Sequence, residues 1–282
     1  MAKNKIFTLV IVLVVISVLG SANCFGIVLD KLYDFSDFKT SLEYYDAALA
    51  ESLKVENQTG SITVRTANIE DVRLHTSSIV EAETQAIVDE LMNNIKINAI
   101  VDGSAFKINV LSKKDNTDYW TWKENTYPLS SVQINFILVV PDKFKSYDLN
   151  TLTGNIDIAN INGTLNAITF TGKVSISKAN IVGDNVIDVK TGDITMEAVI
   201  NNADTLSLTN MTGNIKLSIP GDTGASIKAS VLAGNINGNF GGAFTGQKDM
   251  TGMTTASEIY NGGGTDITLK TMTGDITVNE LE

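Results

Sequence analysis

The chain is 282 residues long, 43% hydrophobic and 19% charged, a composition that supports a globular body with an apolar core. Its formal net charge is −11 and no lysine or arginine cluster occurs beyond the extreme N-terminus, which excludes a basic groove for nucleic acid. With a single cysteine and a single histidine, an intrachain disulfide and a zinc site built on those ligands are excluded too.

Residues 1–26 read as a signal peptide. Lys3 and Lys5 precede the apolar run Ile6 to Gly20, and the small residues Ser21 and Ala22 follow it. If uncut and counted on to Leu29, the same stretch approaches the roughly 20 residues of a bilayer span and would act as an anchor. Either way the body is expected outside the cytoplasm, whether extracellular, on the cell surface or periplasmic. Membrane contact is expected only through this segment. Cys24 follows Asn23, not a small residue, which argues against a lipoprotein signal. Residues 27–50 read as a spacer or edge segment, with an edge strand or a short helix both open for Leu29 to Tyr45.

From 51 to 282 the pattern is that of one β-repeat domain without a linker. In its first part, 51–150, Leu53-Lys54-Val55 and Ile62-Thr63-Val64 flank a Thr-Gly turn at Gly60, and Val72-Arg73-Leu74 continues the alternation. Ile87 and Leu91, like Val88 and Met92, are four apart and predict one short helix near 81–94. Strands resume at Ile95-Lys96-Ile97 and Phe106-Lys107-Ile108, and Gln133 to Val140 runs into Pro141. Between them, Asp115 to Pro128 is the least repetitive segment and carries both tryptophans. Tyr119, Trp120, Trp122 and Tyr127 offer an aromatic platform for a sugar or a protein, or else a hairpin whose aromatics cap the stack.

Residues 151–282 are regular. TGNIDI, TGKVSI, TGDITM, TGNIKL, AGNING and TGDITV place turn glycines at Gly154, Gly172, Gly192, Gly213, Gly234 and Gly274, about twenty residues apart until a final gap of twice that length. A degenerate unit at Asn261-Gly262-Gly263-Gly264 is expected to fill the gap. Alternation after each turn, as in Ile156-Asp157-Ile158, sends one face inward and one outward. A unit this short buries too little alone; stacking makes the inward residues continuous, each contributing roughly 1.5–3 kcal/mol when fully buried. The expected fold is all-β: a single-chain β-solenoid or β-helix-like stack of ~20-residue Thr-Gly-turn repeats with one short helix in its N-terminal half.

LKVENQTGSITV (Leu53 to Val64), the helix with its KIN strands, ILVVPDKF (Ile137 to Phe144) and GGGTDITLKTMTGDITV (Gly262 to Val278) follow one another in an order that resembles the bacterial and archaeal "putative adhesin" family of extracytoplasmic β-repeat domains. The resemblance covers about 230 residues. It implies a β-solenoid, usually exported or membrane-tethered, and it brings no catalytic residues and no cofactor to transfer.

Little else points to chemistry. His75 lies in a strand-like stretch with no nucleophile motif beside it. Asn155, Asp193, Asn214 and Asp275 follow repeat glycines; they read as turn residues, against a calcium or glycan ladder. NGGGTDITL at Asn261 is similar to one calcium-binding nonapeptide but has Asn for its first Gly and Thr268 where a large apolar residue belongs. Asp157, Asp188 and Asp193 would be the acids of a polysaccharide-cleaving enzyme, yet nothing marks a pair among them. The expectation is a non-catalytic, surface adhesin-like or structural module whose partner is a protein or glycan of the cell envelope. The alternatives are an envelope sensor or scaffold ectodomain and, behind it, a polysaccharide-acting enzyme.

Overall fold

Period-two alternation runs through most of the chain, and in the computed structural model, which describes residues 33–281, it becomes one curled sheet of 19 strands. In chain order these begin with β1 (Phe35–Asp46), β2 (Ser52–Thr59), β3 (Ile62–Ala67) and β4 (Asp71–Ala82), followed by helix α1 (Gln85–Asn94). Next come β5 (Ile95–Asp102), β6 (Ala105–Ser112), helix α2 (Tyr119–Thr126), β7 (Ser131–Pro141), β8 (Ser146–Thr153) and β9 (Ile156–Ala159). The regular half holds β10 (Asn162–Thr171), β11 (Val174–Thr191), β12 (Ile194–Thr212), β13 (Ile215–Ile219), β14 (Ala225–Ala233) and β15 (Ile236–Gly238). Last are β16 (Gln247–Lys248), β17 (Thr254–Tyr260), β18 (Thr265–Thr273) and β19 (Ile276–Glu280). The expected signal segment lies outside the described residues. Among the described residues no helix is long and apolar enough to cross a membrane.

Each repeat is a strand, a glycine turn and a second strand, and neighbouring repeats pair in parallel. After the turns, Ile62, Ile156, Val174, Ile194, Ile215, Ile276 and Ile236 stand in register. Before them, Val55, Leu149, Ala167, Ile187, Leu208, Leu269 and Ala229 do the same. All fourteen are buried and belong to one hydrophobic cluster. A unit that could not fold alone is thus closed above and below by its neighbours.

The turns stack as tightly as the strands. Each turn glycine's N–H donates to the residue before the next glycine in the stack, as Gly172 to Thr191 and Gly192 to Thr212, both at 2.9 Å. Four of the turn-glycine carbonyls are met by a file of small polar residues, which is broken at Val189. Thr151 Oγ1 donates to Gly60 O, Thr169 to Gly154 O, Asn210 Nδ2 to Gly192 O and Thr271 to Gly213 O. This explains the recurring Thr or Asn two residues before the Thr-Gly pair: its side chain satisfies a buried or part-buried carbonyl that the turn would otherwise leave unpaired.

Three sequence expectations are corrected here. The double gap before Gly274 holds no extra unit. The chain makes the outermost repeat first, with β14 and β15 about Gly234. It then caps that end with Phe240, Phe244 and the antiparallel β16–β17 pair, and returns so that β18 lies between β12 and β14. Asn261 to Gly264 is the turn that starts this return, with Asn261 Nδ2 donating to Gly221 O and Thr223 O. The predicted helix starts later than position 81, because Glu81 and Ala82 finish β4 and Thr84 caps α1. A second helix, α2, stands where a loop or hairpin was expected. The turn at Gly60 joins the same stack: β2 and β3 pair with β8 and β9 across the intervening ninety or so residues.

The open segment 27–50 supplies β1, which pairs antiparallel with β4, itself antiparallel to β7. Helix α1 packs on β4 and β1 and closes this end of the stack, with Val88, Leu91 and Met92 buried.

Candidate functional site

The aromatic segment is folded locally by its own polar residues. Asp118 caps α2, its carboxylate accepting from the Thr121 N–H at 2.7 Å, and Tyr127 N–H closes the other end on Lys123 O at 2.7 Å. Asp115 ties the approach by accepting from the Thr117 N–H and hydroxyl. These bonds set four aromatic residues on different sides of a short helix.

They do not form an exposed platform. Tyr119 is wholly buried and Trp120 nearly so, while Trp122 and Tyr127 are half-buried. The rings meet mostly edge to face, Tyr119–Trp120 at 5.5 Å and Trp122–Tyr127 at 6.0 Å between centroids. Lys114 Nζ sits 5.2 Å from the centre of the Trp122 ring. On the α1 side, Glu90 receives both the Tyr127 hydroxyl and Lys114, and these two bonds hold its carboxyl below the usual range. Trp122 and Tyr127 are therefore engaged in joining α2 to α1.

Trp120 faces the other way. Together with Glu56, Asn57 and Gln58 of β2, Asn109 and Val110 of β6, and Asp118, it lines an open cleft of about 240 Å³. The cleft exists because β2 and β6 pair in parallel from Ser52–Ala105 to Val55–Ile108, and α2 closes over the place where this pairing ends. Its walls carry amides and carboxylates above an indole. Asn57 is partly committed, donating to Ile134 O at 2.7 Å. Glu56 receives Lys54 at 2.8 Å on the surface. Glu56, Gln58 and Asn109 carry no motif; they are outward strand residues that only the register brings to Trp120.

The repeat polar residues are structural. Asn155 Oδ1 accepts from Lys173 N–H, Asp193 Oδ1 from Asn214 N–H, Asn214 Oδ1 from Asp275 N–H and Asp275 Oδ1 from Asn235 N–H, each at 2.8–2.9 Å. Every such oxygen caps the backbone of the next turn, as the turn reading expects. Among the described residues no group of three or more His, Cys, Asp or Glu side chains could hold a metal ion. Asp157 and Asp188 lie on strands on opposite sides of their turns, and Asp188 is held by Lys190 at 2.8 Å. His75 sits on β4 between Leu42 of β1 and Ile137 of β7.

Burial gives this end of the molecule a definite response to alkali. The Tyr119 hydroxyl donates to Leu91 O at 3.2 Å, and burial holds its pKa well above the ordinary value of 10.0. Burial raises that of Tyr147 likewise, with Asp142 adding to it. The unfolded chain releases these protons near pH 10 while the native chain keeps them, so the unfolded state binds fewer protons above that pH. The contribution is fully present below pH 10 and is lost as pH rises toward the native values. Circular dichroism is expected to show alkaline unfolding beginning above about pH 10. Tyr119→Phe is expected to make the loss shallower, at about 1 kcal/mol of neutral-pH stability for its hydrogen bond. An unchanged alkaline profile in Tyr119→Phe would remove that phenol from the response.

Residues 141–279 match the Toastrack DUF4097 family. No curated protein matches the chain. Among solved structures, one described as a putative cell adhesion protein from Clostridium sporogenes ATCC 15579 aligns with a TM-score of 0.46 at 13% identity, over 87% of this chain and 100% of its own. A putative adhesin from Bacteroides fragilis NCTC 9343 aligns at 0.31 and 11% identity, over 86% of this chain and 97% of its own. One from Parabacteroides distasonis ATCC 8503 aligns at 0.28 and 12% identity, with the same coverage of 86% and 97%.

Proposed function

Starting from a chain whose residues 141–279 form a Toastrack DUF4097 domain, in line with the resemblance carried by its sequence, we propose that it is a non-catalytic, adhesin-like binding module that takes a polar glycan in the cleft beside α2. The body is a β-solenoid of Thr-Gly-turn repeats whose task is rigidity. A site set between two paired strands and a capped helix is positioned more firmly than one on a free loop.

The observation that carries the reading is the cleft lining. Glu56, Asn57, Gln58, Asn109 and Asp118 present donors and acceptors around the indole of Trp120. Planar amides and carboxylates match vicinal hydroxyls, and an aromatic ring supplies apolar contact at little entropic cost. The positively charged start and apolar run of residues 1–26 support an exported location, where such glycans occur.

The test is a glycan array read against Gln58→Ala and Glu56→Ala. Gln58 is used because only its backbone N–H bonds locally, to Asn57 Oδ1 at 3.0 Å. Each variant is expected to weaken the bound signal about tenfold while melting like the parent, since one lost charged or polar contact is worth about 1.5 kcal/mol. Trp120→Ala is a poor first probe, because truncating so buried a ring costs about 3–5 kcal/mol of stability. Binding that survives both polar substitutions would move the site elsewhere, and a protein ligand in place of a glycan would keep the cleft but change its partner class.

A further inference from the structure

Strand β1 is the outermost strand at its end of the stack. Among the described residues it pairs with β4 alone, in an unbroken register from Phe35–Ala82 to Asp46–Asp71. It contains no proline and no bulge, and among the described residues its other backbone edge faces no strand. Natural sheets seldom leave so long a regular edge open; they shorten it, bend it, or charge it, and β1 is neither short nor bent, while its charges, Asp37, Lys39, Glu43 and Asp46, are of both signs. The face that β1 turns outward is also apolar, with Phe38 59%, Leu42 56% and Tyr44 60% exposed. On the same face, beyond His75 of β4, Ile137 of β7 is exposed as well.

We propose that β1 pairs with β1 of a second copy, antiparallel and centred on Ser41, to join two stacks end to end through one continuous sheet. The occupant follows from the strand's own sequence, FSDFKTSLEYYD. A two-fold across an antiparallel pair sets one residue opposite itself and makes every other contact twice. With Ser41 at the centre, Lys39 faces Glu43 of the second copy and Glu43 faces its Lys39. On the outer face Phe38 meets Tyr44 and Tyr44 meets Phe38, with Leu42 against Thr40 between them. Only Phe35 is left without an opposite residue. Both partners of the ion pair are exposed and line an open cavity beside α1 and β5; Glu43 Oε2 accepts from the Tyr45 hydroxyl at 2.5 Å, which leaves its second oxygen for Lys39 of the other copy.

The neighbouring registers lack this match. Centring on Thr40 sets Asp37 against Glu43. Centring on Lys39 or on Glu43 sets a charge against itself. Centring on Leu42 makes no ion pair, and centring on Phe38 leaves Leu42 to Asp46 beyond the partner's end. Opposite charges placed directly across a ladder stabilise it and like charges destabilise it, so the sequence selects the Ser41 register.

Sedimentation and disulfide trapping of the full chain carrying Cys24→Ser, so that an introduced cysteine is unique, test the pairing. The parent is expected to sediment as a dimer. Lys39→Glu and Glu43→Lys are each expected to weaken it about tenfold, since each converts two attractive pairs to repulsive ones. An equimolar mixture of these two variants, or the double exchange in one chain, is expected to recover the parent's affinity. Ser41→Cys is expected to give a covalent dimer on mild oxidation and Thr40→Cys none, because only position 41 lies opposite itself. A monomer at all concentrations overturns the proposal. So does a dimer indifferent to both charge reversals, or one that cross-links as readily through position 40.

Discussion

Gly192→Ala is expected to destabilise the protein by about 3 kcal/mol, and Gly192→Val by more. The substitution fails twice. Gly192 holds φ at +138°, where a Cβ is strained whatever surrounds it. The added carbon would also lie 2.0 Å from the carbonyl oxygen of Gly172 and 2.7 Å from its carbon, so the obstacle is backbone and cannot rotate aside. Nor can Gly172 retreat, since its N–H is held by Thr191 O at 2.9 Å and its own Cβ position lies 2.0 Å from Gly154 O. Gly213 is in the same state, with φ +138° and Gly192 O at 2.0 Å. Strain from the dihedral alone would be 1–2 kcal/mol or so; the stacked carbonyl raises the expectation. Gly262 is the control: its φ is +81°, but nothing lies within 4 Å of an added Cβ, so Gly262→Ala is expected to cost about 1 kcal/mol. Urea denaturation of the three proteins separates the two terms. If Gly192→Ala and Gly262→Ala lose the same amount, close approach between turns contributes nothing.

The glycine file was legible in the sequence because one physical demand, the close approach of backbones, recurs at every turn and admits a single residue type. The inward Ile, Val and Leu were legible through alternation for the same reason. Stacking order was not. Each repeat presents the same register of apolar residues to either neighbour, so spacing alone cannot say that β18 inserts between β12 and β14. The buried threonines looked like strand formers, and their role shows only when Thr169 Oγ1 is found 3.0 Å from Gly154 O. Helix α2 was missed because Tyr, Trp and Thr favour strands. The features that decide it, the Asp118 cap and the packing of Tyr119 on α1, are respectively a single residue and a tertiary contact. Of the four aromatic residues that stand out in the sequence, Trp120 alone lines the cleft. Glu56, Gln58 and Asn109 carry no sequence signal, because they reach the cleft only through the pairing of strands fifty residues apart.

The second large effect is expected at a polar residue the alternation rule would assign to the core. Asn185 is fully buried, opposite Leu206 in a file that also holds Leu53, Tyr147, Leu165, Ile267 and Ile227. By hydropathy it is an error there, and Asn185→Leu ought to repair it. The backbone says otherwise. Pairing shifts between Gly163 and Asn166 on one side and around Gly183 on the other, and the bulge strips groups of their ladder partners. The Asn185 side chain replaces them: Oδ1 accepts from Leu165 N–H at 2.8 Å, and Nδ2 donates to Val182 O at 3.1 Å and Gly183 O at 3.0 Å. Leucine would gain apolar burial of about 1.5–3 kcal/mol but leave the buried Leu165 N–H and two part-buried carbonyls without their partner, at about 1–3 kcal/mol each. The net expectation is a loss of about 3 kcal/mol. Asn210 gives the opposite case. Its Nδ2 serves Gly192 O, but its Oδ1 is buried without a partner, and threonine stands at the matching positions 151, 169 and 271. Asn210→Thr is therefore expected to hold or raise stability, by up to about 1 kcal/mol. Urea midpoints of the two variants decide the matter. If Asn185→Leu matches the parent, the bulge heals without its amide, and burial outweighs hydrogen bonding at this position.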